Sequence, residues 1–234
     1  MELYFERLEK AGLGRIKRPD LLIFRKAEES AVKGIVASLG GIQELPFASE
    51  EDTSLKEVLS RAFLGIECEN SLWQVRRMPD YGSELKPQRR LDGRRGLKKS
   101  AVVPTVILKG EDQTPLRRWE AARQIRLHLW HVFYDQAYGI AFDTASKLIR
   151  QGLIEPKTQV YQAPGGSTTE KTIYKIYYHY AYRLGESQEE PSLVADHLVD
   201  KNGHILPYVK FAGGRLKLSA EALRVLDAAS EKHR

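Results

Sequence analysis

The sequence predicts an α/β (α+β) fold, with a mixed central sheet flanked by helices and a smaller β-rich C-terminal lobe, and three observations carry this expectation. Short apolar runs bounded by Pro, Gly or charged residues recur through the first two thirds of the chain. Segments of helical period separate them. After residue 155 the pattern changes to tyrosine-rich runs around a strong turn signal, Ala163-Pro164-Gly165-Gly166-Ser167.

Leu3, Tyr4, Leu8 and Ala11 recur at helical spacing and predict a helix over 2–11, ended by Gly12 and Gly14. Arg18-Pro19-Asp20 then leads into Leu21-Leu22-Ile23-Phe24, a compact apolar run of the kind that makes a buried strand. Ala27, Ala31, Ile35 and Leu39 predict a helix over 26–39. Ser49 to Asp52 forms an acidic first turn for a helix around 53–62, with Thr53 or Ser54 as its cap. Phe63 to Ser71 reads as a second core strand and Val102 to Leu108 as a third. The polar, basic stretch 74–99 between them reads as a long surface loop. Leu116 to Gln124 is helical, His128 to Tyr134 a strand and 144–151 helical again. A hairpin is expected from 158–161 and 172–182, short strands over 204–218, and a closing helix over 219–232. The division that follows is a core over 1–155 and a C-terminal lobe over 156–234, continuous with it and serving recognition or dimerisation.

Composition narrows the function classes. No apolar run is long enough to span a bilayer, so no membrane role is expected. The N-terminus opens on charged residues and lacks the basic-then-apolar order of a secretory signal. The lone cysteine, Cys68, excludes an intrachain disulfide framework. These features predict a cytoplasmic protein. A net charge of +6 and a pI near 9.3 favour a polyanionic partner. No phosphate-cradling Gly-Lys-Ser/Thr loop is present, so ATP is not expected. His128 and His131 have no cysteine companions arranged as a zinc site, and Ser/His/Asp residues are merely scattered.

The chemistry sits in the acids. Asp20 heads one apolar strand, and Glu67 and Glu69 lie one residue apart on another. Alternate strand residues share a face, so the two glutamates project together and Cys68 points the other way. Carboxylates gathered in a hydrophobic sheet repel one another and are costly to desolvate unless a cation pairs them. An oxygen-rich set of this kind suits Mg2+, which keeps several waters and takes few protein ligands.

Arg18-Pro19-Asp20 with its apolar strand, followed by Ile66-Glu67-Cys68-Glu69-Asn70-Ser71, resembles the Pro-Asp and (D/E)xK elements of the PD-(D/E)xK nuclease superfamily, type II restriction endonucleases included. The order of Pro-Asp strand, Glu-x-Glu strand and later strand, helix and strand resembles it too. The resemblance implies a restriction-endonuclease-like sheet and catalysis by Asp20, Glu67 and Glu69. It also implies Mg2+ held by Asp20, Glu67 and the backbone carbonyl of Cys68. Glu69 stands where the family usually has lysine, a variant that some of its restriction enzymes share. Residues 25–62 also exceed the family's usual connection.

Lys109, Glu111 and Asp112 follow the third strand, and Lys109 is a candidate for the missing lysine. Asp52 is an alternative first ligand, although a helix N-terminus also explains it. Glu6 and Glu9 are further acids on the first expected helix. Positive charge concentrates in Arg76, Arg77, Lys86, Arg89, Arg90, Arg94, Arg95, Lys98 and Lys99, interrupted by Gly82, Pro87, Gly93 and Gly96. A flexible basic loop beside an acidic metal site fits double-stranded DNA. Tyr174, Tyr177, Tyr178, Tyr180 and Tyr182 read as packing residues, and the loop from Gln162 to Lys171 as a candidate for reading a DNA groove. The expected function is sequence-specific, Mg2+-dependent cleavage of double-stranded DNA by a homodimer. The alternatives are a nuclease of the same fold in repair, recombination or transposition, or a DNA-binding protein with an inactive site.

Overall fold

A computed structural model describes residues 17–162, 168–199 and 205–231, together with Leu8 and Gly12. The helix expected over 2–11, with Glu6 and Glu9, and the turn at 163–167 lie outside the described residues. The elements run β1 (Leu21–Phe24), α1 (Glu29–Ser38), α2 (Thr53–Arg61), β2 (Ala62–Asn70), β3 (Lys86–Pro87), β4 (Arg95–Gly96), β5 (Thr105–Lys109), α3 (Gly110–Arg123), β6 (Arg126–Val132), β7 (Gln136–Ala141), α4 (Phe142–Arg150), β8 (Pro156–Gln162), β9 (Thr168–Tyr177), β10 (Tyr182–Glu189), β11 (Ser192–Val199), β12 (Ile205–Ala212), β13 (Arg215–Leu218) and α5 (Ala220–Glu231). The fold is α+β, as expected.

The main sheet is mixed, in the order β1-β2-β6-β7-β10-β13. β2 and β6 run parallel, and the other neighbours run antiparallel. A parallel pair needs a crossover, here the long excursion that ends in β5 and α3. The first six residues of β2 are buried, as befits an inner strand of continuous apolar sequence. One face of the sheet packs on a core that includes Trp119, Leu127, Leu129, Phe142 and Leu148. On the opposite face Phe63, Leu64 and Ile66 meet Ala229 of α5. Gly139 is required where β7 passes between rings, since a Cβ there would fall 2.5 Å from Tyr182 and 2.8 Å from Trp130.

α2 buries Leu55, Val58 and Leu59, the three- and four-residue spacing of one helical face. Each such side chain contributes about 1.5–3 kcal/mol on burial. The cap is Asp52, whose Oδ1 accepts from Leu55 N at 3.0 Å, in place of the expected Thr53 or Ser54.

A second sheet, β5-β9-β8, has Val106, Leu108 and Ile176 in the main core. Tyr174, Tyr178 and Tyr180 pack against the same core, as the packing reading of the tyrosines expects. Strands after residue 155 thus join both sheets, while β11 and β12 form a separate two-stranded ribbon. Among the described residues no helix is long and apolar enough to cross a membrane.

The stretch 74–99 differs from the expected flexible loop. It buries Val75, Met78, Leu91 and Leu97 and contains a short β3–β4 ladder. Asp135 fastens its start, accepting from Val75 N at 2.7 Å and Arg76 N at 3.2 Å. Asp92, in the left-handed region at φ 52°, and Gly93 at 79° turn the chain between the two short strands.

Candidate functional site

β1 pairs with β2 antiparallel, with Leu21 opposite Ile66. That register sets Asp20, just ahead of β1, beside Glu67 and Cys68. Asp20 Oδ2 accepts from Cys68 N at 2.8 Å, which fixes the carboxylate at the strand end. The Cys68 side chain packs on the opposite face with Phe63, Leu64 and Ile66, as alternation requires.

Glu67 is 5% exposed. Its Oε1 accepts from Lys17 Nζ at 2.6 Å, and its Oε2 is buried with no hydrogen-bond partner. Burial, then the Asp20 charge, raises its pKa to about 7; the Lys17 ammonium opposes this and Asp112 adds to it. Burial works against the charged form of Lys17, but Glu67, with Asp112 and Asp20, outweighs it and holds that pKa above the usual lysine value.

Glu69 Oε1 lies 2.5 Å from Lys109 Nζ. Lys109 ends β5 and immediately precedes α3, whose first turn carries Glu111 and Asp112. Asp112 Oδ2 lies 3.9 Å from Lys17 Nζ. Burial raises the Asp112 pKa, and Lys17 and Lys109 pull against it. The strand β5 and the helix start of α3 therefore deliver a lysine and an acid to the Glu67–Glu69 face. Four carboxylates (Asp20, Glu67, Glu69, Asp112) meet two ammoniums (Lys17, Lys109), a formal surplus of two negative charges (4 − 2).

The fit to a divalent cation rests on the unpartnered Glu67 Oε2, since a buried carboxylate oxygen without a donor is costly unless a cation meets it. Among the described residues no group of three or more His, Cys, Asp or Glu side chains is placed to hold a metal ion together, so any cation here would take at most two side-chain ligands. A site with few protein ligands is the kind that Mg2+ uses, with water completing its shell.

Asp52 is not part of this group, since it caps α2. Glu111 sits at the rim, paired with Lys171 at 2.6 Å. Lys17 was not singled out by the sequence. No motif or period marks it, since it lies ahead of β1 and meets Glu67 only in the folded chain. His131, weighed in the sequence only as a zinc ligand and set aside, also lies on this face. It pairs with Glu69 across β2 and β6, is 2% exposed, and neither ring nitrogen has a hydrogen-bond partner. Burial pushes its pKa down to about 4, against the Glu69 charge.

The nine basic residues of 74–99 divide into two groups. Arg90 donates to Glu155 and, at 2.7 Å, to Leu97 O. Arg94 donates to Leu91 O at 2.9 Å and to Gln151 O. Lys98 meets Asp80 at 2.8 Å, and Arg76 lies 3.9 Å from Asp135. These four have protein partners, which corrects the reading of the whole segment as a free phosphate-binding loop. Arg77, Lys86, Arg89, Arg95 and Lys99 are exposed. The groove-reading candidate between Gln162 and Lys171 centres on residues outside the described set.

A cleft lined by Arg126, His128, Tyr182 and Glu221 opens elsewhere. His128 pairs with Ile66, so it lies on the sheet face opposite Glu67, with Nδ1 2.9 Å from Tyr182 Oη. Comparison of the chain with protein-family models, with curated proteins and with solved structures finds no match.

Proposed function

We propose that this chain is a Mg2+-dependent endonuclease that hydrolyses phosphodiester bonds in double-stranded DNA, acting inside the cell as a type II restriction enzyme of the PD-(D/E)xK kind. The buried, half-partnered Glu67, set beside Asp20 on the neighbouring strand, carries the reading. Asp20 and Glu67, with the Cys68 carbonyl, would hold the cation. A bound divalent ion supplies positive charge to the phosphate and acidifies water.

The other roles belong to the chain. Cys68 N holds Asp20 in place. Glu69 accepts a proton from the attacking water, and Lys109 pairs with that carboxylate and adds positive charge where the family's lysine usually stands. Asp112 and Lys17 set the charge around Glu67. A homodimer would place one such site on each DNA strand. The β11–β12 ribbon, which exposes Leu193, Val194, Ile205 and Val209, is the candidate dimer element.

The test is incubation of the purified protein with long duplex DNA, with Mg2+ and with EDTA, beside Glu67→Gln. Discrete fragments that require both Mg2+ and Glu67 support the reading, and a Glu67-dependent smear reassigns it to a nonspecific nuclease. Intact DNA across a series of divalent metals, or equal cutting by Glu67→Gln, overturns it.

A further inference from the structure

The sheet β5-β9-β8 turns Val106, Leu108 and Ile176 into the core. Its other face is set by register. Lys109 pairs with Ile173, Ile173 pairs with Lys157, and Ile107 pairs with Lys175. Directly paired residues share a face, and so do residues two apart on one strand. Lys109, Lys157 and Lys175 therefore stand on the face away from the core, around Ile173, which is 1% exposed. Lys157 and Lys175 are half-buried on that face.

The basic segment is fastened to the same place. Arg90 bonds both Glu155, two residues before Lys157, and Leu97 O, two residues before Lys99. Like charge accumulates there. Burial first, then Lys175, Arg90 and Lys99, lowers the Lys157 pKa. Arg90 has Glu155 as a partner. Lys157, Lys175 and Lys99 form no ion pair with any of the described residues. Crowded ammoniums without a counter-charge favour a bound polyanion.

We propose that this face binds the sugar–phosphate backbone of the DNA duplex beside the carboxylate group, with Lys157, Lys175 and Lys99 on phosphates flanking the one at Lys109. The choice of DNA rests on the nuclease reading. Lys109 and Lys157 are two strand spacings apart, about 10 Å. That equals about three base-pair rises measured along the helix axis of a duplex. Lys109, on this same face, is paired with Glu69, so the basic face adjoins the carboxylate group. A duplex backbone brings a single phosphate to the carboxylate cluster and the rest to the basic face.

The experiment is fluorescence anisotropy of a short labelled duplex in EDTA across a potassium chloride series. Wild type is compared with Lys175→Gln, with the triple Lys99→Gln/Lys157→Gln/Lys175→Gln variant, and with Lys33→Gln/Lys147→Gln on α1 and α4. The slope of log affinity against log salt is expected to fall by about one for Lys175→Gln and about three for the triple variant. The Lys33/Lys147 control keeps the wild-type slope. An unchanged slope in the triple variant, no duplex binding by wild type, or tighter binding to anionic phospholipid vesicles than to DNA overturns the proposal. Because the assay contains no metal, duplex binding through these lysines is read apart from cleavage: if the same protein also leaves DNA intact across a series of divalent metals, this surface stands and the nuclease reading alone falls.

Discussion

Lys109 Nζ lies 2.5 Å from Glu69 Oε1, although the two residues come from different sheets. Under the proposed nuclease reading, the ammonium that a Glu-x-Lys strand would carry itself comes here from another sheet and meets a carboxylate, leaving one more negative charge than that pattern. The ammonium arrives from β5, and the strand position keeps a carboxylate.

A direct consequence concerns Glu69→Lys. The substitution changes the local charge by two units and sets an ammonium against that of Lys109. It also removes the group assigned to take the water proton, a role worth about a hundredfold or more. Single-turnover cleavage should fall by at least about a hundredfold, and Lys109→Glu added to Glu69→Lys should recover part of the loss. Wild-type rates for Glu69→Lys alone would remove Glu69 from proton transfer.

The raised pKa of Glu67 links stability to pH. The folded protein holds the Glu67 proton up to about pH 7, whereas the unfolded chain releases it near the ordinary carboxylate value. The stabilisation is complete below that ordinary value and is lost as pH rises through about 7. Its ceiling is about 3 kcal/mol, since one pKa unit corresponds to about 1.4 kcal/mol. Urea midpoints of the metal-free protein should fall between about pH 5 and pH 8, and Glu67→Gln should flatten that fall. Parallel profiles for the two proteins would show that Glu67 ionises normally.

The basic segment yields a stability prediction. Arg90 satisfies the carbonyl of Leu97, itself a buried residue, and Arg94 ties Leu91 O to Gln151 O. Leaving such a carbonyl unpartnered costs about 1–3 kcal/mol. Arg90→Ala and Arg94→Ala should each lower Tm by several degrees, at about 2–4 °C per kcal/mol for a chain of this size. Arg89→Ala and Arg95→Ala, at exposed positions, should leave Tm unchanged. Equal melting for all four would mean that the segment is not anchored through Arg90 and Arg94.

The strand placement of Asp20, Glu67 and Glu69 was legible because apolar runs mark inner strands and period two fixes which side chains share a face. The role of Asp52 was half legible: a helix N-terminus was expected there, and its cap proved to be Asp52 itself. The segment 74–99 was not legible. Val75, Met78, Leu91 and Leu97 follow neither period, and their anchors at Asp135, Gln151 and Glu155 lie far along the chain. The sheet β5-β9-β8 also joins strands distant in sequence, so its lysine face emerges only from the register.

Lys17 tests whether the electrostatics around Glu67 matter to the chemistry. Its ammonium, 2.6 Å from Glu67 Oε1 and 3.9 Å from Asp112 Oδ2, opposes the upward push of burial, Asp20 and Asp112 on the Glu67 pKa. Lys17→Met removes that opposition, so Glu67 should ionise at still higher pH. Loss of a close opposite charge moves a carboxylate by about one to three units. The acidic limb of the cleavage-rate profile should shift up by about a unit or more. Activity should be strongly reduced at neutral pH and partly recovered at alkaline pH. Lys17→Arg restores the charge and should return the limb toward wild type. A purely structural role for Lys17 lowers the rate equally at every pH and moves no midpoint. The measurement is single-turnover cleavage from acid to alkaline pH at a fixed Mg2+ concentration well below saturation, and a wild-type midpoint in Lys17→Met would separate Lys17 from the ionisation of Glu67.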